Sequence, residues 1–193
     1  MNAYKHDLGQ KITTDVGSIA VDRGFVAHLN FETPVAQSIT AVLGATALTT
    51  ETQTITDGIT DPDIPRNIRI KGSASGMTGD VVINGTNIND DAISETLALN
   101  GTTEVQGDKA FKTITSVELP VQTNSGDEVS VGTANKLGLP YKLSLNTVFK
   151  AYRDGTLEGT APSVAVDFAN IENNTVLLDS ALNGTNIDVY LIV

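Results

Sequence analysis

Turn-forming residues punctuate this chain so often that few stretches leave room for a helix. From Arg66 onward, short runs rich in Val, Ile and Thr are separated by Asn-Gly, Asp-Gly and Pro: NIRIKGS, DVVINGTN, DAISETLAL, KAFKTITSVELP, DEVSVGT, TVFKAYRDGTLEG, SVAVDFA, NTVLLDS and NIDVYLIV. Gly and Asn accept left-handed backbone, and Pro withdraws a ladder donor, so each break ends a strand-sized segment. Strands at roughly 8–12-residue spacing predict an all-β chain, a β-sandwich or barrel-like antiparallel module. Composition agrees. Thr is the commonest residue, 25 of 193, and β-branched side chains suit a pleated, half-solvated surface better than a helix. A chain of this length buries roughly 70% of its unfolded surface and needs no cross-link to stand.

Residues 1–33 differ. They mix short apolar groups with charges and predict an extended N-terminal arm with one or two short strands, ended by Pro34. Residues 34–193 form the β-rich domain, with a sub-boundary near 61–66 where Pro62 and Pro65 bracket a stiff turn. VAQSITAVLGATAL, residues 35–48, carries both helical and strand periodicity; Gly44 and the β-branched residues favour strand. In NIRIKGS, alternation places Ile68 and Ile70 inward, Arg69 and Lys71 outward. Asp154-Gly155 suits a type I′ hairpin turn.

Charge and chemistry exclude much. The net charge is −11, which repels nucleic acid unless a basic stripe exists. The densest basic group is Arg66, Arg69 and Lys71, with Lys109 and Lys112 a looser pair, and no basic residue follows Arg153. No apolar run approaches the roughly 18 residues of a bilayer span, and no apolar leader core is visible, so neither membrane insertion nor secretion is expected. Cysteine is absent, which removes thiol chemistry and Cys-ligated zinc. No phosphate-binding loop pattern occurs, and GSASG has Ala74 where a nucleophilic Ser would stand. His6 and His28 lack ligand-spaced partners and read as surface or packing residues.

The one acidic knot is Asn89-Asp90-Asp91 with Glu95, inside VVINGTNINDDAISETLALNG. It lacks the alternating acids and distal Glu of a calcium loop, and it reads as a hairpin tip, with Glu95 near the start of the next strand and wetted by a sheet edge. A hydrolase acting through Asp90, Asp91 or Glu95 is the weakest of three functional readings. No enzymatic activity and no cofactor is expected.

The stretch from Pro65 onward resembles small structural proteins encoded by tailed bacteriophages and prophages. The resemblance rests on PRN before a strand, AISETLALNG, KAFKTITS, KLGLPYKL and the closing LNGTNIDVYLIV, and it covers about residues 40–193. It implies a virion protein most similar to capsid decoration proteins. Such a protein binds the major capsid protein on the outside of the assembled shell, is made in the bacterial host cytoplasm and is a homo-oligomer, a trimer in the first instance. No catalytic residue carries over, because the shared motifs are turns and strand ends. The arm is then the docking element, through Lys5, Lys11, Arg23, Phe25 and Phe31. The competing reading is a tail or baseplate module that binds a host-surface glycan. It would need an aromatic groove. Tyr141, Phe149 and Tyr152 are the only local cluster, and strict alternation puts Phe149 and Tyr152 on opposite faces.

Overall fold

The computed structural model describes residues 25–193, together with the backbone of two short strands before them, β1 (Ile12–Thr13) and β2 (Ala20–Val21), which form a two-stranded sheet of their own. The body contains β3 (Val26–Asn30), β4 (Ser38–Ala47), β5 (Gln53–Ile55), β6 (Arg66–Gly72), β7 (Asp80–Thr86) and β8 (Ala92–Ala98). It continues through β9 (Val105–Phe111), β10 (Thr113–Leu119), β11 (Glu128–Gly138), β12 (Val148–Arg153), β13 (Thr156–Leu157), β14 (Ser163–Ala165), β15 (Thr175–Leu177) and β16 (Ile187–Ile192). One 3-10 turn, Ile171–Asn173, is the only helical element of the described residues. The fold is all-β and every strand pair is antiparallel.

Three sheets build the body. The first has the order β5-β10-β7-β8, the second β14-β15-β11-β6-β9 with β4 also on β11, and the third β13-β12-β16-β3. The long strand β11 organises them. Its first half pairs with β4, its end pairs with β15, and β6 runs along its other edge. Two apolar cores result. One is a sandwich core of Val42, Ile68, Ile70, Val81, Ile83, Phe111, Val117, Val129 and Val131. The other gathers Ala27, Leu137, Leu139, Val176, Leu182, Ile187, Val189 and Leu191. Gly132 permits the β4–β11 contact, since a Cβ there would lie 1.9 Å from the Ser38 carbonyl oxygen.

Several expectations are corrected. β6 is covered on both faces, so Arg69 is 7% exposed and bonded to Glu104 at 2.6 Å instead of facing water. Arg66 is fully buried: Nε donates to the Ala134 carbonyl at 2.7 Å, and one terminal nitrogen donates to the Val35 carbonyl and to Asp63. Burial pulls its pKa below the usual guanidinium value, with Asp63 opposing. Residues 35–48 do contain a strand, and Asp154 and Gly155 both hold positive φ, 49° and 73°, as a type I′ turn requires.

The end of the segment read as an arm belongs to the body. β3 lies alongside β16, and Phe25 and Val193 exchange both backbone hydrogen bonds at 2.9 and 3.0 Å.

Candidate interaction surface

The acidic knot is a turn. β7 and β8 pair without a break from Asp80↔Ala98 to Thr86↔Ala92, and residues 87–91 close the hairpin. Asn87 Oδ1 accepts the N–H of Asn89 at 2.9 Å and of Asp91 at 3.1 Å, and Asp90 takes φ 67°. Asp90 binds the Lys112 ammonium at 2.7 Å. Among the described residues no three His, Asp or Glu side chains converge as a metal site would require. A cavity of about 250 Å³ lies behind the tip, between Asn87, Asp91, Lys142, Asn170 and Glu172; its lining contains no aromatic ring that could hold a sugar.

Glu95 is not wetted by an edge. Its side chain crosses to β9, where Oε1 accepts the N–H of Asp108 at 2.7 Å and of Lys109 at 3.3 Å. Oε2 is buried without a partner. Desolvation raises its pKa above the ordinary carboxylate range, against the two amide bonds and the Lys109 charge. It joins the first two sheets.

The clustered basic residues on β6 and β9, and the one on β11, are likewise engaged in the body. Besides Arg66 and Arg69, Lys109 donates to the Ser94 carbonyl, and Lys136 pairs with Asp108. No basic stripe is left among them.

Apolar surface collects elsewhere. Eight of the ten large exposed hydrophobics among the described residues, Phe25, Val26, Leu145, Phe149, Leu157, Val166, Phe168 and Ile192, lie outside the sandwich, in the part of the chain that builds the second core. The third sheet explains half of them. Ala27, Ala151, Ile187, Val189 and Leu191 face inward, so the alternate positions face out. Register brings Val26 opposite Ile192, His28 opposite Tyr190, and Tyr152 opposite both Asp188 and Leu157. Val26 is 59%, Leu157 53%, Phe149 50% and Ile192 46% exposed.

A β-bulge changes the sequence-based geometry of this face. The β12–β16 register shifts between Val148 and Lys150, so Phe149 is an extra residue. Phe149 and Tyr152 therefore both reach Tyr190, with ring centroids 6.4 and 5.7 Å away, instead of pointing to opposite sides. His28 stacks on Tyr190 at 4.6 Å and 4°. Its Nε2 lies 2.6 Å from Asp188 Oδ1, which also accepts from Asn30 Nδ2 at 2.9 Å, while Asn186 holds the other carboxylate oxygen at 2.7 Å. His28 is thus a packing residue of a surface cluster. Tyr141 packs against the second core, away from this cluster.

Of the arm residues proposed to dock, Lys5, Lys11 and Arg23 lie outside the described residues. Phe25 is exposed at the end of the third sheet, and Phe31 is half-buried against the second core, its N–H bonded to the Ile187 carbonyl at 2.8 Å. The alternation in NIDVYLIV carried part of this surface. Nothing in the sequence marked the bulge at Phe149.

No protein-family model, curated protein or solved structure matches this chain.

Proposed function

We propose that this protein is a non-catalytic structural component of a tailed-phage virion, which docks on the outside of the assembled capsid and stabilises it. The observation that supports the reading best is the outer face of the third sheet. Val26, Phe149, Leu157 and Ile192 are exposed there around Tyr152, Tyr190 and His28. Contiguous apolar surface with aromatic anchors and a polar rim is what a protein interface is made of. The phage resemblance supplies the partner: the major capsid protein. Binding to one lattice state and not to others stabilises that state by mass action. The proposed place in the cell follows: made in the host cytoplasm, carried on the virion surface.

Co-sedimentation with empty expanded heads, with isolated tails in parallel, tests this. Saturable binding to heads at a fixed ratio to the capsid protein is expected, and Phe149→Asp or Ile192→Asp should weaken it at least tenfold while the fold persists. Binding to tails alone, or to neither, would refute decoration.

A glycan-binding tail or baseplate module is the second reading, and the bulge that brings Phe149 and Tyr152 to one ring favours it. It ranks below the first because His28 covers one face of Tyr190, leaving less ring for a sugar to stack on. Binding of purified host-surface polysaccharide, lost in Phe149→Ala, would reverse the order.

A further inference from the structure

Two features of the backbone are each incomplete, and each supplies what the other lacks. β3 ends the order of the third sheet. Phe25 and Val193 form a doubly hydrogen-bonded pair, and Phe31 donates to Ile187. Antiparallel alternation therefore turns the N–H and C=O groups of Ala27 and Leu29 toward β16, and those of Val26, His28 and Asn30 away from it. Among the described residues no strand pairs with that outer side. Beside it lies a groove of about 410 Å³, walled by Leu29, Phe31, Ile64, Pro65, Ile88 and Pro140. The other feature is the β1–β2 hairpin, a sheet of only two strands, which is marginal in water without a third. Only residues 22–25 separate β2 from β3, yet β2 pairs with β1 and not with its own β3.

We propose that the open edge of β3 receives the β1–β2 hairpin of a second copy of this chain, by addition of a strand along Val26–Asn30. Reach and charge support a second copy as the occupant. The 24 residues before Phe25 span up to about 80 Å when extended, against a body roughly 40 Å across. They carry three basic and three acidic residues, so the whole charge of −11 sits on residues 25–193. Two such bodies repel one another, whereas a neutral segment approaches freely. Alternate apolar residues in SIAV, Ile19 and Val21, match the one-face-in pattern that an added strand presents to a groove. The contact is head to tail, and closes into a ring. It stands on the protein alone, independent of any capsid.

The test is native mass measurement of the full chain and of Val26→Pro and His28→Pro. Proline at either position removes only an N–H that the β16 ladder does not use, which an edge strand tolerates. The full chain is expected at a multiple of 20.2 kDa. Both proline variants should run at the single-chain mass with an unchanged circular dichroism spectrum, while His28→Ala, which loses the Tyr190 stack and the Asp188 contact but keeps its backbone N–H, should stay assembled. A monomeric full chain, or folded proline variants that remain assembled, would overturn the proposal. If the proline variants do not fold, a chain lacking residues 1–22 replaces them. It should be monomeric and bind a peptide of residues 8–24 saturably; an assembled truncation, or no peptide binding, overturns the idea equally. Loss of head binding with retained assembly would fail the decoration reading alone.

Discussion

Gly107→Ala isolates the contact that joins the first two sheets. A Cβ at Gly107 would lie 2.1 Å from Oε2 and 2.6 Å from Cδ of Glu95. The glutamate cannot yield at no cost, because its other oxygen accepts from Asp108 and Lys109. The new methyl therefore expels the carboxylate from both amides. The short bond to a charged acceptor contributes about 1.5–3 kcal/mol and the long one about 0.5–1. Release of a desolvated carboxylate offsets part of this, and the lower chain entropy of unfolded Ala returns about 0.5–1 kcal/mol. A net destabilisation of about 2 kcal/mol is expected. Glu95→Ala removes the same bonds and the clash together, so the double variant should be about as stable as Glu95→Ala alone. Urea unfolding of the four proteins at pH 7 then yields a coupling of about 2 kcal/mol. Additive losses would refute the argument, and would mean that Gly107 serves the backbone path of β9 and not the seat of Glu95.

Three further outcomes follow from buried or strained groups. Since burial raises the folded-state pKa of Glu95 above its unfolded value, its contribution is full below the unfolded pKa and is lost as pH rises through the folded one. Glu95→Gln should gain stability relative to the parent chain as pH rises above the ordinary carboxylate range, about pH 4, and a pH-independent difference in urea midpoint would contradict this. Arg66→Ala leaves Asp63 Oδ1 and the Val35 and Ala134 carbonyls without the guanidinium that donates to them. A loss of about 3–5 kcal/mol in chemical denaturation is expected, less for Arg66→Met, which keeps the volume; a loss under 1 kcal/mol would show that water replaces the guanidinium. Glu32 holds φ 56°, where Asn is better tolerated, so Glu32→Asn should stabilise by about 0.5–1 kcal/mol and raise the melting temperature; a lowered one would contradict the strain argument.

What was legible in the sequence was local. Asp154-Gly155 announced its turn because two positive φ angles demand such a pair, and Asn89-Asp90-Asp91 read as a hairpin tip because Asn and Asp bond their own backbone. The all-β class followed from many such signals agreeing. Long-range pairing was not legible. NIRIKGS alternates like a half-exposed strand, yet β6 is central and covered on both faces, and Arg66 and Arg69 bond to partners 31 to 68 residues away along the chain in addition to Asp63. Glu95 looked like an edge residue until β9 arrived beside β8. The surface cluster depended on one extra residue in β12, because alternation is counted from pairing and a bulge shifts the count.

The alliance of β3 with β16 has a consequence in time. The residues of the sandwich core lie between Val42 and Val131 in the chain, whereas the second core needs Ala27 as well as residues 137–191. Asn30 and Asp188, which meet across that sheet, are 158 positions apart. Loop closure over such a span adds little to the equilibrium cost but slows the search. The sandwich can therefore form first, from strands already near one another in sequence. The third sheet, whose outer face carries the aromatic cluster and whose last strand offers the open edge, is assembled afterwards. Neither surface exists before that step, so a half-folded chain cannot yet receive a neighbour on either of them.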